Sequence, residues 1–228
     1  MSVCVVTGAS RGIGRACALA LAARRKSLAL LGRDSLALRQ TLADCLEHGA
    51  PAAHFVECDL AEPVQIEQAA KSLLERCAAP EVLIHNAGIV ERGAIGELAL
   101  ASFQAQLAVN LTAPFCLTNH VLPAMRAEGR GRVLFVASIS STLGTKNQSA
   151  YCASKWGVLG LMKSLAQELS DTGLMTAAVL PGSVDTDMLH GSGFAPRMSA
   201  AHVAQTLVYL ALDAPLAHNG ATIEMFGT

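Results

Sequence analysis

The chain has 228 residues, with 17 basic and 18 acidic side chains for a net charge of −1, and is 52% apolar and 15% charged. Soluble domains average about 25% charged residues, so this composition favours a large core and excludes disorder over the whole chain. The balanced charge and the 4% aromatic content argue against nucleic-acid binding, which draws on a basic face and stacking rings.

The length fits one α/β domain spanning residues 1–228. No run approaches the roughly 18–20 apolar residues of a membrane helix, and residues 1–6 lack the pattern of a signal peptide. Seven cysteines (Cys4, Cys17, Cys45, Cys58, Cys77, Cys116 and Cys152) form no C-x-x-C pair. They read as reduced thiols filling core gaps, which together with the missing signal peptide points to the cytoplasm. The seven histidines show no metal-ligand spacing, so no metal is expected.

Short, nearly continuous apolar runs at 3–6, 27–31, 53–57, 82–85, 133–137, 176–180 and 222–226 read as strands of a parallel sheet covered on both faces. Helical patterns lie between them. Ile13, Ala16, Cys17, Ala20 and Leu21 recur at helical spacing after the first strand. Pro63 suits a first helical turn, with Val64, Ala69, Ala70 and Leu73 toward the sheet. The run 102–128 is helical, with a bend or break expected at Pro114 and Pro123. A further long helix is expected over 149–170, and an irregular stretch over 187–198 precedes the last helix. This alternation predicts a doubly wound sheet of about seven strands, a Rossmann fold.

Between the first strand and first helix lies Thr7-Gly8-Ala9-Ser10-Arg11-Gly12-Ile13-Gly14. Glycines there permit a tight turn and close backbone approach, and the helix N-terminus attracts a pyrophosphate. No Gly-Lys-Ser/Thr follows, which excludes a P-loop. The second strand ends in Gly32-Arg33-Asp34. An arginine at this strand end accommodates the 2′-phosphate of NADP, where NAD binders use an acidic residue. Arg33 and Arg11 are therefore expected to clamp that phosphate. Asp34 could instead hold ribose but fits better as the cap of the next helix. NADP is preferred over NAD.

Tyr151 and Lys155 are four residues apart at the start of a predicted helix, which puts them on one face. A neighbouring ammonium favours tyrosinate and is expected to lower the phenol pKa from about 10. Ser138, at the end of the fifth strand, adds a hydroxyl at the sheet edge where open α/β folds bind ligands.

With these residues in place, the chain resembles the short-chain dehydrogenases/reductases, and over its core the 3-oxoacyl-carrier-protein reductases among them. The resemblance runs from Thr7 to about Gly227. It rests on Thr7-Gly8…Gly12-Ile13-Gly14, Asp59-Leu60, Asn86-Ala87-Gly88, Asn110, Ser138, Tyr151…Lys155 and Pro181-Gly182…Thr186 in the family's order. It implies a carbonyl reductase or alcohol dehydrogenase in which Tyr151 is the general acid or base. Lys155 would lower the Tyr151 pKa and bind the nicotinamide ribose, and Ser138 would bond the substrate carbonyl. Asn110 would hold a relay water. Asp59 and Leu60 would meet adenine, and Asn86, Ala87 and Gly88 the adenosine ribose. Pro181, Gly182, Val184 and Thr186 would contact the nicotinamide and pyrophosphate. A small-molecule carbonyl or alcohol is the implied substrate, and a homodimer or homotetramer through 102–128 and 149–170 the implied assembly.

The chain departs from the family at His85, where an asparagine is usual, and in a short segment after Thr186 that implies an open pocket or one completed by a neighbouring subunit. It also ends Met225-Phe226-Gly227-Thr228 where relatives often read Val-Asp-Gly-Gly. His85 reads as a structural, hydrogen-bonded residue. Arg126, Arg130 and Arg132 could receive an acidic carrier protein if the substrate is a 3-oxoacyl thioester, although a solvated helix end is the stronger reading. A catalytically silent NADP sensor or scaffold is the alternative from another class, disfavoured because Asn110, Ser138, Tyr151 and Lys155 are all kept.

Overall fold

The computed structural model describes residues 3–33 and 35–227. Seven strands carry the fold: β1 (Val3–Thr7), β2 (Ser27–Gly32), β3 (Ala53–Glu57), β4 (Pro80–His85), β5 (Gly131–Val136), β6 (Leu174–Pro181) and β9 (Ala221–Met225). They pair in parallel in the order β3-β2-β1-β4-β5-β6-β9. All seven expected strands are present, with ends displaced by up to two residues. The apolar runs are continuous because both sheet faces are covered. In β1, Cys4 and Val6 join a core with Cys17, Leu21 and Leu207 on one side. Val3 and Val5 join Ile66, Leu73, Leu117 and Phe135 on the other.

The first core is closed by α1 (Gly12–Ala23), α2 (Leu36–Glu47) and α7 (Ala200–Val208), the second by α3 (Pro63–Arg76), α5 (Ala113–Glu128) and α6 (Ser149–Glu168). Pro63 opens α3 as expected, but Val64 is 66% exposed. Ile66 takes the sheet-facing place with Ala69, Ala70 and Leu73, because the apolar face starts one turn into the helix. Ser35 caps α2 by accepting from the Leu38 amide; the expected cap Asp34 lies outside the described residues.

The run 102–128 is two helices, α4 (Leu100–Leu107) and α5, joined by a π-helical turn at Ala108–Thr112 that ends beside Pro114. That satisfies the expected break at Pro114. Pro123, in contrast, sits inside an unbroken α5. It is exposed, and so is Asn119, whose carbonyl the missing N–H would have bonded, so that carbonyl faces water. The irregular 187–198 stretch holds a 3₁₀ turn (Asp187–Leu189), and short strands β7 (Val184–Asp185) and β8 (Met198–Ser199) flank it. Five cysteines are buried, Cys116 is half-buried against the second core and Cys152 is half-buried outside both; all seven are free thiols. Among the described residues, no helix is long and apolar enough to cross a membrane, and no His/Cys/Asp/Glu group could hold a metal.

Thr7 lies opposite Leu31 and Val6 opposite Ile84, so β1, β2 and β4 end level with one another. The strand order reverses direction between β1 and β4. Open sheets of this kind bind ligands outside the carboxyl ends of their strands at that point.

Candidate active site

At the end of β1 the glycine turn is packed against the segment after β4. Gly8 and Gly12 have left-handed φ of 67° and 53°. A Cβ on Gly8 would lie 2.7 Å from Ala87 Cα, and one on Gly14 would collide with Gly8 O and Asn86 Nδ2. Thr7 Oγ1 accepts from the Asn86 and Ala87 amides at 3.1 and 3.0 Å. Asn86 Nδ2 donates to Thr7 O and Gly8 O at 2.9 and 3.0 Å. The Asn86 side chain and the Ala87 amide thus lock the turn against the segment after β4. Arg11, the N-cap residue of α1, gives no side-chain cap, so the first-turn amides from Gly12 to Gly14 are left for an anion. A cradle that any Cβ would fill, at an uncapped helix N-terminus, fits a dinucleotide pyrophosphate. Thr186 faces the same turn, 3.1 Å from where a Gly12 Cβ would be.

Of the two arginines expected to clamp a 2′-phosphate, neither is buried. Arg33 is exposed at the end of β2. Arg11 pairs with Asp187 at 2.8 Å, both largely solvated. A solvated pair of this kind is worth little, so Arg11 can yield it to a phosphate. Asp59 follows β3, and its Oδ1 accepts from the Ala61 amide at 3.0 Å. Pro181 ends β6, Gly182 N donates to Met225 O at 2.8 Å, and Val184 is buried. The C-terminal departure from the family therefore packs against this strand end.

Ser138, Tyr151 and Lys155 are all buried at the carboxyl edge of β5. Ser138 accepts from the Ser140 amide at 3.1 Å and donates to Pro181 O at 3.5 Å. Lys155 Nζ donates to Val136 O at 2.8 Å and lies 5.6 Å from the Tyr151 ring centre. Asn110, in the π-helical turn, accepts from the Ile89 amide at 2.8 Å and donates to Ile89 O and Ser154 Oγ at 2.9 and 3.0 Å. Ser154 donates to Tyr151 O at 2.7 Å. Such turns recur at functional sites, and here it turns Asn110 toward α6. Gly88 packs against Asn110 and Lys155; a Cβ there would lie 3.6 Å from Nζ.

The expectation that Lys155 holds the phenol below its ordinary value is corrected. Burial dominates and pushes Tyr151 up to about 12, while the hydrogen bond to Ser138 and the Arg92 charge pull the other way. Lys155 is itself brought down to about 8 by burial. His85 is buried, stacked on Phe135 with ring centres 4.9 Å apart, and hydrogen-bonded to Thr118 at 2.8 Å. Burial brings it down to about 3, so it is the neutral structural residue expected. Arg126, Arg130 and Arg132, weighed as a carrier-protein patch against a solvated helix end, do not act as one group. Arg132 is half-buried and donates to Leu210 O at 2.6 Å. Arg126 reaches Glu168, and Arg130 is exposed.

Sequence reasoning missed Arg92 and Ser154. Ser154 carried a signal, since it lies between Tyr151 and Lys155 on α6. Arg92 carried none, because its contacts come from residues almost a hundred positions away.

The family model for short chain dehydrogenase matches residues 2–194. The chain is 33% identical to a 3-oxoacyl-[acyl-carrier-protein] reductase of Synechocystis, over 99% of this chain and 95% of that one. Levodione reductase superposes with a TM-score of 0.92 at 27% identity, covering 99% of this chain and 96% of its own. A protein described as a putative NAD(P) dependent gluconate 5-dehydrogenase from Beutenbergia cavernae, with bound NADP, superposes with a TM-score of 0.91 at 30% identity, covering 98% and 94%. A doubly wound sheet, a glycine cradle at its switch point and a buried Ser138–Tyr151–Lys155 cluster agree with these likenesses: the chain belongs to the short chain dehydrogenase family.

Proposed function

We propose that the protein is an NADP(H)-dependent oxidoreductase that reduces a carbonyl to an alcohol, or the reverse, holding cofactor and substrate within its single domain. The observation that carries this reading is the buried Ser138–Tyr151–Lys155 cluster at the strand edge next to the glycine cradle. When bound, the nicotinamide supplies or takes up the hydride. Tyr151, protonated at neutral pH because burial raises its pKa, is the acid that delivers a proton to the carbonyl oxygen. Ser138 donates a hydrogen bond to that oxygen as its charge grows. Lys155 holds the ribose hydroxyls and carries the proton supply back toward Asn110. Arg33, and Arg11 once released from Asp187, favour NADP by meeting its 2′-phosphate.

A small carbonyl compound fits better than a carrier-bound thioester. The first relative's name argues for a 3-oxoacyl thioester, but two of the three arginines that would receive a carrier are tied to the protein's own chain. Phe115 on α5 and Trp156 on α6 are each 53% exposed, which supports a homo-oligomer built through these helices. The test follows NADPH absorbance with diketones, keto esters and acetoacetyl thioesters, and repeats it with NADH. Turnover of at least one compound, faster with NADPH, is expected. Tight NADPH binding without turnover of any compound would overturn the reading in favour of a sensor.

A further inference from the structure

We propose that Arg92 is a specificity-determining residue of this site and that it selects carbonyl substrates bearing a carboxylate. The inference rests on the oxidoreductase reading and names its substrate class. Arg92 lies in the loop after β4. The next residue, Gly93, donates its amide to Asn147 O at 2.9 Å and bridges to Gln148, three residues ahead of Tyr151. The Arg92 side chain crosses to the segment after Thr186, where Nη2 donates to Met188 O at 2.8 Å and Nη1 to His190 O at 3.2 Å. Its guanidinium therefore spans the mouth between the N-terminus of α6 and the segment that borders the cofactor groove. Its charge is felt at the Tyr151 phenol.

The bonding of this guanidinium is incomplete. Arg11, Arg15, Arg24 and Arg126 each meet a carboxylate: Asp187, Asp44, Asp213 and Glu168. Among the described residues none pairs with Arg92, whose two bonds go to neutral carbonyls. Its Nε is shielded from solvent and has no acceptor. A guanidinium has five N–H donors in a planar fork that matches a carboxylate. The two carbonyl bonds use one proton of each Nη, so a second proton on each is left for an entering carboxylate. Leu143 and Met188 are exposed apolar side chains from the two segments that meet here, and they suit the neutral part of such a substrate. A cation without a counter-ion, placed between the segment ahead of Tyr151 and the segment after Thr186, selects an anionic substrate over its neutral ester.

The test compares levulinate and acetoacetate with their methyl esters, using NADPH and wild-type, Arg92→Gln and Arg92→Lys enzymes. In the wild type the acids should be the better substrates. Arg92→Gln should lower the acid-to-ester ratio of kcat/KM at least tenfold, mainly through KM for the acid. Arg92→Lys, which keeps the charge and loses the fork, should retain part of the ratio. An equal ratio in wild type and Arg92→Gln overturns the proposal. Should Arg92→Gln fail to fold, an acid-to-ester ratio unchanged in Arg92→Lys overturns it. If the wild type reduces none of these compounds, the reductase reading is decided by its own wider panel, and calorimetric titration of levulinate into NADP⁺-loaded protein still decides this proposal. Binding retained by Arg92→Lys and lost in Arg92→Gln upholds the proposal. Binding equal in wild type and Arg92→Gln, or absent in the wild type, overturns it.

Discussion

At the glycine-turn end of the cleft the working surface is backbone, whereas at the Tyr151 end it is side chains. Gly8 and Gly14 bring main chain against main chain, and the amides at the start of α1 are left uncapped. Ser138, Tyr151 and Lys155 instead project from β5 and α6, with Asn110, Arg92 and the 186–190 segment closing round them. A backbone surface recognises what every nicotinamide dinucleotide shares, its pyrophosphate. A side-chain surface can be altered one residue at a time, so it holds the chemistry and the choice of substrate.

Substitutions at the two ends should therefore fail in different ways. The largest effect is expected from Tyr151→Phe. Losing the proton donor should lower kcat by about 10²–10⁴-fold, while NADPH affinity, read by fluorescence titration, stays near wild type. Retained turnover would remove Tyr151 from the acid role. Gly14→Ala should do the reverse. Its methyl has no space beside Gly8 O and Asn86, so the domain should lose about 1–3 kcal/mol in a denaturant melt and bind NADPH weakly. Unchanged stability and affinity would mean the cradle is not rigid.

Arg33→Asp should shift preference from NADPH toward NADH by about 10–100-fold, the worth of a charge-assisted bond of roughly 1.5–3 kcal/mol. An unmoved cofactor ratio would release Arg33 from the 2′-phosphate. His85 tests the scaffold between the two ends. Its folded pKa of about 3 lies below its ordinary 6.5, so the cation is disfavoured in the fold. Above pH 6.5 neither state is charged and there is no effect. As pH falls from 6.5 toward 3, the unfolded chain takes up a proton that the native state refuses, and stability drops. The loss should reach about 2 kcal/mol at pH 5, and His85→Asn should remove this part of the slope in pH-dependent melts. The smallest effect is expected from Asp187→Asn, which should change stability by less than about 1 kcal/mol because the Arg11 pair is solvated.

Much of this was legible in the chain. Buried parallel strands are largely apolar, so the seven strands of the main sheet stand out as short runs, while β7 and β8, two residues each, do not; the glycine turn marks the passage from β1 to α1. Val64 was misread because at the first turn of a helix a single apolar residue does not show which face is buried. Pro123 was misread because a proline disrupts a helix by orphaning a carbonyl, and whether water reaches Asn119 is a property of the fold. The phenol pKa was misread in direction because i,i+4 spacing gives proximity to Lys155 but says nothing of burial, and burial outweighs it. The pairing of Arg11 with Asp187 spans 176 positions and leaves no local trace.

Periodicity, glycine placement and the Tyr151–Lys155 spacing were enough to define the sheet, the phosphate cradle and the proton-transfer residues, since each follows from the chain's own stereochemistry over a few residues. Tertiary structure alone decided which cations keep a free charge, which face of α3 is buried, and what stands opposite Tyr151 across the mouth. These depend on dielectric and on contacts between segments far apart in the chain, and neither quantity exists until the sheet has closed.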